Sequence, residues 1–113
     1  MPVLVFYTSV RQVPATLAPA LSQLVAKLTD KPEERVLCIV HPNLDMTFGG
    51  TREPCAFATL GSIGKIDPDS NKKYSAAICH LVEQQIAVSS KRFYIKFEDV
   101  VPSNLGHDGT TKG

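Results

Sequence analysis

The sequence predicts a two-layer α/β or α+β sandwich made of two consecutive β-α-β units. The apolar segments follow the order strand, helix, strand, loop, strand, helix, strand, and each half opens with an apolar strand directly after a proline, Pro2 or Pro54. Right-handed crossovers then place both helices on one face of a four-stranded sheet. A chain of 113 residues fits one compact core, so we expect a single domain covering residues 1–113.

The first half contains a strand, a helix and a second strand. Val3 to Thr8 is a β-branched and aromatic run typical of a buried strand. A helix is predicted to start near Thr16 and to end before Pro32, because the residue before a proline disfavours the α region. Arg35 to His41 predicts a strand whose continuous apolar character indicates cover on both faces. The apolar residues at helical spacing are Leu17, Leu21, Leu24, Val25 and Leu28.

The second half repeats this order after a loop from Asn43 to Pro54. Cys55 to Ile63 predicts a strand, and residues 67–70, with the sequence Asp-Pro-Asp-Ser, supply the capping chemistry of a helix start. Residues 93–97 alternate between apolar and more polar side chains and predict the last strand, before a glycine-rich tail from Gly106. The second helical face consists of Tyr74, Ile78, Leu81, Val82 and Ile86.

Charge and hydropathy exclude several classes of partner. Twelve Lys and Arg residues oppose eleven Asp and Glu residues, so the chain offers no strong field for nucleic acid or anionic lipid. The longest apolar runs are far shorter than the ~20 residues that cross a bilayer. The N-terminal residues lack the features of a secretory signal, and three cysteines cannot form a closed set of disulfides. We expect a cytoplasmic protein, or one secreted by a non-classical route, without nucleic-acid or membrane partners.

Familiar cofactor and metal motifs are not supported. The segment from Gly61 to Lys65 resembles the end of a phosphate-binding loop, but Thr59 and Ile66 stand where that motif needs Gly and a hydroxyl residue. The three histidines have no Cys or His at ligand spacing. Cys55 has no predicted base beside it and is expected to be a buried, inert thiol. We therefore predict neither a metal nor a cofactor.

The amine of Pro2 is the most unusual chemical group. Met1 precedes a proline, a small residue after which the initiator methionine is ordinarily removed, and removal leaves Pro2 as a free secondary amine. An α-amino group titrates at roughly 7.7–8.0, and desolvation or a nearby cation lowers this pKa. A general base works best with a pKa near the operating pH, so Pro2 is a candidate base.

Several segments together resemble the macrophage migration inhibitory factor family of the tautomerase superfamily. The resemblance covers nearly the whole chain and implies a homotrimer of β-α-β-β-α-β subunits, each with a four-stranded mixed sheet and two helices on one face. The segments are Pro2 opening a strand, Lys31-Pro32, Phe48-Gly49-Gly50, Glu53-Pro54-Cys55-Ala56, Ser62-Ile63-Gly64-Lys65 and Arg92-Phe93-Tyr94-Ile95.

The resemblance also implies a function. It indicates a cofactor-free keto–enol tautomerase for phenylpyruvate-type and dopachrome-type substrates, with sites at subunit interfaces and Pro2 as the general base. Lys31 matches the family lysine that holds the substrate carboxylate, and its charge lowers the pKa of the proline. Alternatively, Lys31 is a solvated lysine near a helix C-terminus. Ile63 matches the residue whose backbone N–H faces the ligand, with Ser62 beside it.

At the other positions of the implied site, one residue matches the family and several differ from the residue that is common there. Tyr94 is expected to come from the adjacent subunit and line the pocket. Lys96 stands where asparagine is common, and a cation there favours a carboxylate or a developing enolate. Arg35 replaces a frequent tyrosine, His107 a common tryptophan, and Lys112-Gly113 an apolar end. The pocket rim is therefore expected to hold aromatic rings more weakly.

Two alternatives stay open at this point. The family also includes cytokine-like proteins, so the chain is alternatively a non-enzymatic secreted protein that binds a cell-surface receptor and keeps a vestigial pocket. A purely structural ferredoxin-like module also accounts for the β-α-β repeat, but it leaves the match at Pro2 and Lys31 unexplained.

Overall fold

One four-stranded mixed sheet carries two helices on one face in this computed structural model, which describes residues 1–113. The strand order is β2-β1-β3-β4, with β1 parallel to β2 and antiparallel to β3, and β3 parallel to β4. The predicted fold class is therefore confirmed. Neither helix is both long and apolar enough to cross a membrane. The elements are β1 (Pro2–Thr8), α1 (Leu17–Thr29), β2 (Leu37–His41), β3 (Ala56–Ser62), α2 (Pro68–Ile86) and β4 (Phe93–Asp99).

The core lies between the sheet and the two helices. Alternate residues of β1 point toward the helices, and Leu4 and Phe6 are fully buried there. Leu21 of α1 and Ile78 of α2 are equally buried and belong to the same apolar cluster. The period-two pattern of β1 and the helical spacing of α1 and α2 thus meet in one core.

The opposite face of the sheet carries no helix, and we call it the open face. A row of rings crosses it: Tyr7 stacks on His41 at 5.0 Å and on Phe57 at 6.0 Å between ring centroids. The register continues this row to Tyr94 on β4. Aliphatic side chains lie beside it, so a single chain exposes part of a second apolar layer. The remaining members of the open face are Val3, Val5, Leu37, Ile39, Thr59, Gly61, Lys96 and Glu98.

The predicted strand from Arg35 to His41 is shorter than expected and lacks cover on one face. Residues Glu33–Arg35 form a 3₁₀ turn that starts after Pro32, and β2 begins at Leu37. Because β2 is an edge strand and both helices pack on the other face, Leu37 remains 54% exposed. The prediction of cover on both faces is therefore wrong for the single chain.

The glycine-rich tail forms a hairpin. Strands β5 (Gly106–His107) and β6 (Thr110–Thr111) pair around Asp108 and Gly109, which both have positive φ. This Asp-Gly turn suits a two-residue hairpin because both central residues must adopt positive φ. The Lys112 N–H donates to the Leu105 carbonyl at 3.1 Å and extends the ladder.

Candidate active site

Four of the predicted site residues lie close together where β1 begins and β3 ends. Pro2 pairs with Ser62 in the antiparallel register of β1 and β3, and both residues are buried. The Lys31 ammonium donates from Nζ to the carbonyl of Ile63 at 3.5 Å. The sheet register and the end of α1 therefore bring together residues that are distant in the sequence.

The end of α1 directs Lys31 toward the sheet. Asp30 adopts a left-handed conformation with φ of 54°, and the Lys31 N–H donates to the Ala26 carbonyl at 3.0 Å. This pattern closes the helix and reverses the chain. Pro32 follows and prevents continuation of the helix. Lys31 is thus half-buried beside the end of β3 instead of pointing along the helix axis into solvent.

Ser62 contributes an unpaired hydroxyl to this cluster. Its Oγ is buried and has no hydrogen-bond partner, whereas its backbone carbonyl accepts from Val100 at 2.9 Å. Most buried polar atoms are paired, so the unpaired hydroxyl of Ser62 is unusual, although it is fully buried and does not line the cavity described next.

A cavity of about 570 Å³ opens at the same end of the sheet. Its volume is in the range of small-molecule sites, roughly 300–1,000 Å³. Met1, the residue directly before Pro2, lines this cavity, whereas Pro2, Lys31, Ser62 and Ile63 lie beside it and do not line it. The cavity has an apolar part and a charged part. The apolar residues are Met1, Val3, Val36, Leu37 and Leu105, and the polar side chains are Glu34, Arg35, His107 and Lys112.

The N-terminal amine at this cavity has a lowered pKa. Burial disfavours its ammonium form most, and the charges of Lys31, Arg35 and Lys112 lower the pKa of the Met1 amine further. These cations come from the end of α1, from the 3₁₀ turn and from the tail. Three separate segments therefore direct positive charge at the chain terminus, which favours a neutral amine able to accept a proton.

The tail hairpin supplies residues that were not among the predicted binding positions. Leu105, His107 and Lys112 lie on one face of the hairpin and line the cavity. Lys112 Nζ lies 3.5 Å from His107 Nδ1. The sequence does contain a signal for this arrangement, because Asp108-Gly109 is a strong hairpin motif, but it does not show which element the hairpin packs against.

Two predicted site residues do not join the cluster in the same chain. Tyr94 is 69% exposed on the open face and packs at 4.9 Å between ring centroids against Phe48. Lys96 also lies on the open face, with its Nζ 3.9 Å from Glu98 Oε1. The register aligns Pro2 with Ser62 and Asp99, so Lys96 lies three residues away along β4 and on the other face of the sheet. Within one chain, neither side chain points at Pro2.

Known proteins resemble this chain over most of its length. The family model described as macrophage migration inhibitory factor matches residues 1–113. The macrophage migration inhibitory factor of Xenopus tropicalis is 41% identical over 98 residues, which are 87% of this chain and 85% of that protein. The Mus musculus protein of the same name is 37% identical over 113 residues, with 98% of each chain covered.

Solved structures with a similar fold carry the same protein name as the relatives found by sequence. The macrophage migration inhibitory factor of Trichinella spiralis superposes with a TM-score of 0.94 at 30% identity, covering 96% of this chain and 98% of that chain. The macrophage migration inhibitory factor homologue of Prochlorococcus marinus gives a TM-score of 0.94 at 33% identity, covering 98% of this chain and 99% of the other. Sequence and fold therefore point to the same relatives.

Proposed function

This chain belongs to the macrophage migration inhibitory factor family, and on that basis we propose that it is a keto–enol tautomerase that uses the amine of Pro2 as its general base. The observation that carries the proposal is the environment of the chain terminus. Burial and three cations lower the pKa of the terminal amine, and this amine lies at a cavity of about 570 Å³. This pKa is that of the Met1 amine, and we extend its causes to the amine of Pro2, which becomes the terminus when Met1 is removed. A base poised in this way can accept a proton at neutral pH.

The reaction moves one proton. The Pro2 nitrogen takes a proton from the carbon next to the keto group of a phenylpyruvate-type substrate; the C–H electron pair forms a C=C bond to the carbonyl carbon, and the C=O π pair moves to the oxygen to give an enolate. The protonated amine then returns the proton to that oxygen, which gives the enol; the reverse sequence gives the ketone. Lys31 holds the substrate carboxylate, and the Ile63 N–H and Ser62 Oγ serve as polar contacts.

The complete site requires a second subunit. Tyr94 and Lys96 lie on the open face, where they cannot reach Pro2 of their own chain. In a homotrimer, β4 of the adjacent subunit would deliver Tyr94 as an apolar wall and Lys96 as a cation for the developing enolate. The apolar side chains of the open face favour such an assembly, since their exposure in a single chain is costly.

The test is the tautomerisation rate of phenylpyruvate with protein whose N-terminus has been verified by intact mass. Pro2→Gly should lower kcat/KM by roughly 10²-fold or more, the usual contribution of a positioned general base. Protein that retains Met1 should be inactive, because the amine is then displaced from Pro2. Pro14→Gly changes an exposed proline away from the cavity and is the matched control. Equal rates for wild type and Pro2→Gly would contradict the proposal.

A further inference from the structure

We propose that the cavity beside Pro2 selects 2-keto acids that carry a second carboxylate at the distal end, in preference to aromatic 2-keto acids. This inference rests on the proposed tautomerase function and adds the substrate class. It is argued from the charged part of the cavity, where Arg35, His107 and Lys112 face the same space as Met1.

Arg35 and Lys112, the arginine and the lysine that line this cavity, form no salt bridge with an acidic side chain. Salt bridges occur between Arg52 and Asp45 and between Lys96 and Glu98, and neither involves Arg35 or Lys112. The guanidinium of Arg35 makes no hydrogen bond, and the Lys112 ammonium has only the long contact of 3.5 Å to His107 Nδ1. Glu34 is the one acidic side chain that lines the cavity, and it does not form a salt bridge with either cation.

All three cations act on the terminal amine, and we assign them to two anion sites from the segments that carry them and from which of them line the cavity. Lys31 donates to the Ile63 carbonyl next to the Pro2–Ser62 pair, so it serves the carboxylate adjacent to the reacting keto group. Arg35 on the 3₁₀ turn and Lys112 after β6 belong to different segments that border the cavity itself. They are therefore left for a second negative group, which a monoanionic substrate does not have.

Charge and shape favour a carboxylate over a ring at this second position. A phenyl ring placed against Arg35 and Lys112 would remove water from both cations without neutralising either, and burying an unpaired charge is costly. A carboxylate pairs with a guanidinium through two parallel hydrogen bonds, and Lys112 adds a point charge. A small 2-keto dicarboxylic acid also fits within about 570 Å³.

The first experiment compares oxaloacetate with phenylpyruvate as substrates. Arg35→Gln and Lys112→Gln should each raise KM for oxaloacetate at least tenfold while changing KM for phenylpyruvate by less than twofold. KM is the informative constant, because these cations also affect the pKa of the amine and hence kcat for both substrates. Arg11→Gln replaces an exposed arginine that does not line the cavity and is the control. Equal changes for both substrates would overturn the inference.

A binding measurement tests the second anion site independently of tautomerase activity. Calorimetry should show that succinate binds at least tenfold more tightly than butyrate, a monoacid of the same chain length, and that Arg35→Gln removes this difference. If neither substrate turns over but succinate is preferred, the tautomerase proposal fails and the second anion site stands. If phenylpyruvate turns over but succinate and butyrate bind equally, the tautomerase stands and the second anion site is refuted.

Discussion

The N-terminal amine owes its lowered pKa to two physical causes that act at the scale of single residues. Burial removes hydration from the ammonium form, and Lys31, Arg35 and Lys112 repel it. Both causes favour the neutral amine, so, for the proposed base at Pro2, we expect the acidic limb of the activity profile to lie below the pH expected for an ordinary terminus. Under the proposed tautomerase function, the pH dependence of the rate would measure the effect of these contacts.

Lys31→Ala should shift the acidic limb of kcat/KM to higher pH. Removing the positive charge eliminates one of the repulsive contributions, so the pKa of the amine rises and a higher pH is needed to deprotonate it. The profile should be measured with phenylpyruvate. Lys27→Ala is the control, because Lys27 is an exposed cation in the last turn of α1 that does not lower this pKa. A limb that stays in place or moves to lower pH would refute the assigned role of Lys31.

The three cysteine thiols are expected to react slowly because they are wholly or partly buried. Burial raises the pKa of Cys38 to about 11 and also raises the pKa of Cys79. Cys55 is 1% exposed, which confirms the expectation of a buried thiol. Since only the thiolate is nucleophilic, Cys38 and Cys79 should react slowly at neutral pH, whereas Cys55 is inaccessible to reagents because it is buried.

Alkylation of Cys38 by iodoacetamide at pH 7.5 should be slower by a factor on the order of 10² in the folded than in the unfolded protein, because the unfolded thiol has a pKa of roughly 8.5. The rate should rise about tenfold per pH unit up to the folded pKa. Mass spectrometry of the labelled peptide measures both trends, with protein in denaturant as the reference. A rate independent of pH between 7.5 and 9.5 would contradict the assigned pKa.

At the scale of elements, Arg92, which directly precedes β4, forms hydrogen bonds to residues 48–54 of the loop before β3. Its guanidinium donates to four backbone carbonyls, at 3.0 Å to Pro54, 3.1 Å to Phe48, 2.9 Å to Glu53 and 3.3 Å to Thr51. It also lies 5.4 Å from the centroid of the Phe48 ring. The loop is therefore held by one side chain that can form several directed bonds at once.

Arg92→Lys should reduce the free energy of unfolding by about 2 kcal/mol, since an ammonium cannot satisfy several carbonyls in the same geometry. Amide hydrogen exchange should accelerate at Phe48 and Thr51, whose N–H groups bond to each other's carbonyls. Because Phe48 packs on Tyr94, the ring proposed for the neighbouring site should lose order as well. Lys91→Arg changes the adjacent exposed cation and is the control. Unchanged exchange in the loop would contradict this role of Arg92.

At the scale of the whole molecule, the open face is the surface that a single chain leaves uncovered. It combines the ring row of His41, Tyr7 and Phe57 with aliphatic side chains such as Val5 and Ile39. The sheet also has two edge strands, β2 and β4. An apolar sheet face with free edges favours association with further copies of the chain.

The protein should sediment with three times the chain mass of 12.3 kDa. Ile39→Asp should dissociate the assembly, because it places a charge on the apolar open face, and circular dichroism should show that the chain remains folded. Gln84→Asp introduces the same charge at an exposed position of α2 and should leave the mass unchanged. Sedimentation of the wild type as a single chain would refute the proposed trimer.

The sequence by itself determined the two helices and the four strands of the main sheet, apart from the start of β2, because short-range patterns encode them. Helical spacing and proline placement locate α1, and Asp67, whose side chain accepts from the Ser70 N–H at 2.8 Å, caps α2 as predicted. The alternation of apolar and more polar side chains in residues 93–97 likewise locates β4. Together with the matching family motifs, these patterns predicted the four-stranded fold and the grouping of Pro2 with Lys31.

Only the tertiary structure decided which residues share the cavity. The edge position of β2 leaves one of its faces uncovered, and the hairpin after Leu105 brings Lys112 to the same cavity as Arg35. Neither fact follows from spacing, because each depends on packing between segments that are far apart in the sequence. Local patterns specify what each segment forms, whereas the charge of the cavity depends on how those segments meet.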